Sequence, residues 1–343
     1  MKKATINDMA EFTGLSTATI SRCINNTGYV SEESRELIKE AQQKLNFYPR
    51  RRTRTTNSAT ATPKYIMLVL PENNNPFWYK LINSVQNVAR EKDYYMILNA
   101  CSSPEEEIKW INSTLQKTQA AGYILVTLND GSDIEKYIYE QQEPIVLCGF
   151  IPKLKTPLEA ECDRITVDTQ KGTFLATKHV LQMGRGRKQR ICYADVVSDT
   201  KTGEFRKLGF RNAIEEAGIP YKPEMILPPI NADDDEYPAL VELYERGEMP
   251  DAICAGNDKT AFAIYQTCKK IGISIPDELM VVGLDNTELC QQTTPRLTSV
   301  DISPAELGTR SAEMLFEQLG NTRRLYQQSI LEPRLIIRES SKA

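Results

Sequence analysis

The chain contains a single histidine, His179, and its eight cysteines include no C-x-x-C pair. One imidazole without paired thiols cannot supply the donors of a common zinc site, so no metal is expected. Scattered cysteines also argue against a disulfide framework and fit a reducing, cytoplasmic setting. Long apolar runs are missing: none approaches the ~20 residues that span a bilayer, which excludes a transmembrane protein. The opening residues, Met1 to Thr5, lack an apolar signal core, so secretion is not expected. Catalytic signatures are equally scarce. There is no G-x-x-x-x-G-K-S/T phosphate loop, no G-x-G-x-x-G after a strand and no G-x-S-x-G elbow. The expectation is a non-enzyme with no catalytic residues and no cofactor.

At 343 residues, and with roughly 150 per domain as a guide, two or three domains are expected. The net charge of −4 conceals an asymmetry. Residues 1–64 hold 11 Lys/Arg against 6 Asp/Glu, a net of +5, whereas the remainder holds 31 against 40, a net of −9. A small basic head on a large acidic body is expected where only the head meets an acidic polymer.

Three short helices are readable in the head. Thr5 and Asp8 form a candidate capping box ahead of Ile6, Met9 and Ala10. Gly14 breaks that helix, and Ser16 caps a second over Thr17 to Asn25, where Ile20, Cys23 and Ile24 share a face. Ser31 caps a third, with Glu32 and Glu33 at its positive dipole end and Leu37, Ile38, Ala41 and Leu45 as its apolar face. Two helices joined by a tight Gly-containing turn, closed by a third, make a helix-turn-helix arrangement. The outer face of the second helix presents Thr17, Ala18, Ser21, Arg22, Asn25 and Asn26, which are short or hydrogen-bonding and carry no acid. Such a face can approach base edges in a major groove, with Arg22 able to bond guanine bidentately. Taken alone, it is equally a capped polar surface helix.

The stretch "ATINDMAEFTGLSTATISRCINNTGYVSEESRELIKEAQQKLNFYP" resembles, without a gap, the LacI/GalR family of bacterial transcription repressors. Met9, Thr13 and Leu15 stand where members commonly carry Val, Ala and Val. The resemblance implies that residues 17, 18 and 22 read bases. It also implies a DNA-facing set of Thr5, Ser16, Thr17, Ala18, Ser21, Arg22, Asn25, Tyr29, Arg50, Arg51 and Arg54. The domain is placed at residues 1–48 and a hinge at 49–63. In the family the hinge becomes a helix whose leucine wedges into the minor groove; here that leucine position falls at Thr56. Threonine is a poor wedge, while the arginines still meet phosphates. Weaker kinking and a larger electrostatic share of binding are therefore expected.

From Tyr65 onward, apolar strand candidates alternate with helical stretches, the pattern of parallel sheets covered on both faces. The strand candidates are Tyr65–Leu70, Tyr94–Asn99, Gly122–Thr127, Pro144–Gly149, Arg164–Val167, Arg190–Tyr193, Ala252–Ala255 and Met280–Gly283. The run "RGRKQR" from Arg185 to Arg190 reads as a solvated helix-to-strand loop in preference to a nucleic-acid patch, and His179 reads as structural. The resemblance continues through "NNPFW", "FRKLGF", "AGND", "VVGLDN", "PRLTSVD" and a final "RLIIRESS". It implies an α/β periplasmic-binding-protein-like core over 64–343, made of two doubly wound subdomains. The first is placed at about 64–160 and 291–321, the second at about 161–290 and 322–343. A cleft between them is implied to bind a small sugar or sugar-acid effector through Asn75, Phe77, Arg206, Asp234, Asn257 and Asp285. Arg206 matches the family's effector-binding arginine, and nearby Lys207 is compatible with a sugar acid. Each has a plainer reading: a surface ion pair for Arg206, turn formers for Asn257 and Asp285, ordinary core for Phe77.

The expected function is a homodimeric, sequence-specific repressor on a near-palindromic double-stranded operator, controlled by that effector. An alternative keeps DNA binding but makes a phosphorylated carrier protein the controlling partner, as in the catabolite-control branch. A third, a plain cytoplasmic sugar-binding protein, requires residues 1–46 to be inert.

Overall fold

The structure is a computed structural model that describes residues 5–25, 29–45, 64–71, 76–110, 120–127, 138, 143–149, 162–184, 190–196, 201–230, 234–320 and 325–342. Two compact units, Met1–Ala61 and Thr62–Ala343, divide the chain. The hinge at 49–63, with Arg50, Arg51, Arg54 and Thr56, lies outside the described residues, as do Asn26, Asn75 and most of "RGRKQR".

In the first unit, α1 (Ile6–Thr13), α2 (Thr17–Asn25) and α3 (Glu32–Leu45) enclose Met9, Ile20, Ile38 and Ala41. Local chemistry sets each boundary. The Asp8 N–H donates to Thr5 Oγ1 at 3.3 Å and Asp8 Oδ2 accepts from the Thr5 N–H at 2.5 Å, a complete capping box. Gly14 takes the left-handed conformation (φ 69°) and ends α1. Ser16 Oγ accepts from the Thr19 N–H at 3.1 Å, and Ser31 Oγ accepts from the Ser34 N–H at 3.4 Å. Thr13, polar on a mostly apolar face, satisfies its hydroxyl by donating to Met9 O at 2.7 Å and accepting from the Leu15 N–H. Leu37 departs from its expected place: it is 41% exposed. Ile38, Ala41 and Leu45 keep a 3–4 spacing, and Leu37 stands about 100° around the helix from Ile38.

The second unit holds two six-stranded sheets. The first comprises β1 (Tyr65–Pro71), β2 (Tyr95–Cys101), β3 (Tyr123–Leu125), β4 (Ile145–Gly149), β5 (Asp163–Val167) and β11 (Gln328–Leu331), in the order β2-β1-β3-β4-β5-β11, all parallel. The second comprises β6 (Ile191–Ala194), β7 (Ile226–Leu227), β8 (Ala252–Ala255), β9 (Met280–Leu284), β10 (Thr298–Asp301) and β12 (Arg334–Ile336). Its order is β7-β6-β8-β9-β10-β12, parallel except for the last pair. Central strands such as β1, from Ile66 onward, and β9 are buried, which is why they read as unbroken apolar runs.

One face of the first sheet is covered by α4 (Phe77–Glu91) packed against α11 (Pro304–Leu319). The corresponding pair on the second sheet is α6 (Thr169–Met183) with α7 (Lys201–Glu216), while α8 (Pro238–Glu245) and α9 (Asp258–Ile271) cover its other face. A short α5 (Pro104–Trp110) follows β2. Both helix pairs approach through a glycine: a Cβ at Gly308 would sit 2.5 Å from Leu81 O, and one at Gly209 would overlap the Gln170 carbonyl oxygen.

The chain passes between the sheets three times: between Val167 and Thr169, between Asp301 and Pro304, and between Leu331 and Arg334. These points lie later in the chain than the expected boundaries near 160, 290 and 322. In particular β5 belongs to the first sheet, bonded to β4 and β11; its residues, Asp163 to Val167, carry no local mark of which sheet they join. The closing segment is tied to the second sheet. Ser340 Oγ donates to Val281 O at 2.6 Å and Ser341 Oγ donates to Thr298 Oγ1 at 2.7 Å. His179 Nε2 lies 2.8 Å from Ser341 Oγ, buried and structural.

Two stability measurements follow from this packing. Gly209→Ala forces backbone apart and is expected to lower unfolding free energy by about 1–3 kcal/mol in calorimetry. Burial holds the His179 pKa below its ordinary 6.5, partly offset by the bond to Ser341. The folded chain therefore binds this proton less readily than the unfolded one, so stability is full above about pH 6.5 and falls on acidification below it. His179→Gln should flatten the melting-temperature slope on acidification below about pH 6.5.

Candidate functional site

In the first unit, Thr17, Ala18 and Arg22 are all exposed on α2; Ala18 and Arg22 lie on the side opposite the buried Ile20, and Thr17 is the first residue of the helix. Ser21 is half-buried beside them, and Tyr29 is 91% exposed after the helix. Asn25 ends the helix. Thr5 and Ser16 are exposed, and their hydroxyls serve as helix caps. The face thus offers one guanidinium, hydroxyls and a methyl, with no carboxylate among the named positions, a composition able to meet both phosphates and base edges.

In the second unit the informative region is the carboxyl edge of the second sheet. Parallel strands end on the same side, so β6, β8 and β9 deliver Asp195, Gly256–Asn257–Asp258 and Asp285 to one edge. The strand order reverses between β6 and β8, the place where doubly wound sheets open a crevice for ligands. Arg206 reaches this point from α7 and donates from Nη1 to Gly256 O at 2.9 Å. Lys207 Nζ pairs with buried Asp195 Oδ2 at 3.2 Å, so its charge is already met there. Tyr193, the last-but-one residue of β6, is fully buried, and its hydroxyl would stand 2.8 Å from a Cβ on Gly256.

The remaining expected ligand residues divide. Asp285 is buried on this edge with φ 116°, followed by Asn286 at φ 51°. Asn257 lies on the edge too, and its Oδ1 caps α9 by accepting from the Thr260 N–H at 2.7 Å. Asp234 is half-buried in the loop leaving β7. Phe77 is 7% exposed and packs edge-on against Trp78, with ring centroids 4.8 Å apart, in the core beside the first sheet. Its ring is therefore spent on packing and offers no open stacking face.

Asp258, Asp195 and Tyr193 were not singled out by the sequence. Asp258 is wholly buried and accepts from the Thr287 N–H at 2.6 Å, Thr287 Oγ1 at 2.9 Å, Cys290 Sγ at 3.2 Å and Ser299 Oγ at 2.6 Å. Burial pushes its pKa up, and these donors oppose that shift. They also hold the loop from Asp285 to α10 (Leu289–Gln292) against β10. In the same loop Glu288 Oε1 meets Lys80 Nζ of α4 at 3.1 Å, linking the two lobes. The "ND" doublet was the available signal for Asp258; its partners are distant in sequence. The buried thiols offer no nucleophile: burial pushes Cys101 up to about 11 and Cys148 and Cys254 up to about 12.

Residues 5–50 match the family of bacterial regulatory proteins, lacI family, and residues 182–341 match a periplasmic binding protein-like domain. The HTH-type transcriptional regulator DegA of Bacillus subtilis (strain 168) is 31% identical over 347 residues, covering 99% of this chain and 98% of that protein. This chain belongs to the lacI family of bacterial regulatory proteins. As a lacI-family member it is a DNA-binding transcription regulator, not an enzyme. A solved transcriptional regulator CelR–cellobiose complex superposes with a TM-score of 0.74 at 26% identity, covering 98% of this chain and 99% of that one. The lac repressor dimer bound to operator and an anti-inducer superposes with a TM-score of 0.70 over the full length of both chains, at 20% identity, a likeness of fold.

Arg22→Ala should weaken binding of this lacI-family chain to an operator duplex selected from random sequence by about 10- to 100-fold, the value of one bidentate base contact. Fluorescence anisotropy checks this, with the calorimetric unfolding of the second unit expected to stay unchanged.

Proposed function

We propose that the chain is a homodimeric repressor of carbohydrate-metabolism genes in the cytoplasm. In this reading two basic units bind half-sites of a near-palindromic operator, and a small uncharged sugar in the second unit controls affinity. The acid-free exposed face of α2 supports the DNA contact, and two-fold symmetry in the protein would be mirrored in the DNA. Edge strand β2 supports self-association: Tyr95 is 78% exposed, and Ile97 and Leu98 are exposed with it. The lac repressor, of like fold, is a dimer on its operator.

The observation that carries the effector reading is the meeting of Arg206 with Gly256 at the strand-order reversal. A guanidinium there can bond sugar hydroxyls, and Asp285 on the same edge can accept from others. Lys207 is compatible with a sugar acid by sequence, but its charge is already met by Asp195. CelR, a relative of similar length, was solved with cellobiose. A ligand changes DNA affinity only through a difference in its affinity for the two DNA-binding states, and the coupling is reciprocal.

A thermal-shift panel of D-ribose, D-glucose, cellobiose, D-gluconate and glucose 6-phosphate tests this. A neutral sugar at a hundred times its Kd should stabilise the chain by about 2.7 kcal/mol, and Arg206→Ala should abolish that shift. A response confined to the two anions, or one that survives Arg206→Ala, would contradict the proposal.

A further inference from the structure

Two donors at the strand-order reversal of the second sheet have nothing to bond. The Tyr193 hydroxyl and Arg206 Nε are both buried and lack a hydrogen-bond partner among the described residues. They converge on one residue. Arg206 Nη1 donates to Gly256 O at 2.9 Å, and the Tyr193 hydroxyl passes over the bare α-carbon of Gly256, where a side chain would also strike Val196 Cγ1 at 2.9 Å and Ala194 O at 3.1 Å. Gly256 is thus the residue that makes room for the tyrosine. A buried polar group without a partner destabilises the fold, and natural chains keep few of them. Two together, where doubly wound sheets bind ligands, ask for an acceptor from outside the chain.

The ring itself is ordinary core, with its centroid 5.8 Å from that of Phe210. The hydroxyl is what packing leaves unexplained: phenylalanine would fill the same space. Burial raises the Tyr193 pKa, and the carboxylates of Asp195 and Asp285 act in the same direction against the opposing charge of Arg206. The hydroxyl therefore stays protonated and able to donate.

We propose that Tyr193 is a ligand-reading residue, whose hydroxyl and Arg206 Nε together donate, directly or through one bound water, to a hydroxyl-bearing uncharged ligand. This assignment rests on the effector reading above and adds the residue that sequence comparison of motifs does not mark. The charges around it balance: Arg206 and Lys207 stand beside Asp195 and Asp285, with Lys207 held by Asp195. Such surroundings suit a neutral polyol.

The test is Tyr193→Phe in the full chain, compared with the unaltered protein by calorimetric unfolding without ligand and by titration with D-ribose, D-glucose and cellobiose. Removing an unpartnered buried hydroxyl should leave the ligand-free melting temperature unchanged or higher, while affinity for the sugar that binds falls about tenfold. Gly256→Ala, which displaces the hydroxyl, should lower the affinity for the same sugar. A lower melting temperature of the ligand-free Tyr193→Phe variant, or an unchanged affinity, overturns the assignment and shows the hydroxyl to be structural. If none of the three sugars binds the unaltered protein, the effector reading itself fails and the assignment with it.

Discussion

Asp258 carries a carboxyl group into the interior of the second unit, where a polar group is tolerated only if it is hydrogen-bonded. Four donors bond it: the Thr287 N–H and hydroxyl, the Cys290 thiol and the Ser299 hydroxyl. Because those donors come from the β9–α10 loop and from β10, satisfying the buried carboxyl also fixes the loop. That loop holds Asp285 and Asn286 at positive φ, a conformation that persists only when surrounding bonds over-determine it. Arg338 adds a second tie, donating to Asn286 Oδ1 and to Leu297 O, each at 2.7 Å. The carboxyl edge of the second sheet is therefore tied down on one side. The same loop reaches Lys80 of the other lobe through Glu288, although that pair is exposed and individually weak.

The two lobes solve one packing problem in the same way. Each sheet runs in the order second, first, third, fourth, fifth of its own strands, and each is covered by a helix pair that meets at a glycine. Repetition places both sheets' strand-order reversals at carboxyl edges, and three crossings join lobes that are each built from separated pieces of chain. A change at one edge thereby has several covalent routes to the other lobe.

Much of this was legible in the sequence where the causes are local. Thr5, Asp8, Gly14, Ser16 and Ser31 fix three helices through bonds to residues three or four away, and the α2 bounds fall where those caps place them. Fully buried strands such as β1, β8 and β9 announce themselves as apolar runs. Illegible features depend on distant partners. β7 spans two residues, and β11 is a half-exposed edge strand with no apolar run to mark it. β5 could have joined either sheet, which displaced the expected crossings. Lys207 looked like a free cation until its partner Asp195, twelve residues earlier, came beside it. Phe77 followed a ligand-like motif yet turned into the core, since a large ring at the start of an amphipathic helix gains more by burial than by exposure.

Function is split by charge and by chain position. The basic unit carries a short helix that exposes Thr17, Ala18 and Arg22, the proposed contact with DNA, whereas the acidic unit has a charge-balanced edge, the proposed seat of a neutral effector. The claim that joins them is thermodynamic linkage, and it is tested by one titration. Affinity for an operator duplex selected from random sequence should be measured at fixed salt, with and without a saturating sugar that raises the melting temperature. The account predicts a change of about 5- to 150-fold, mirrored by an equal change in sugar affinity when the duplex is present. Identical DNA affinity at every sugar concentration would contradict it.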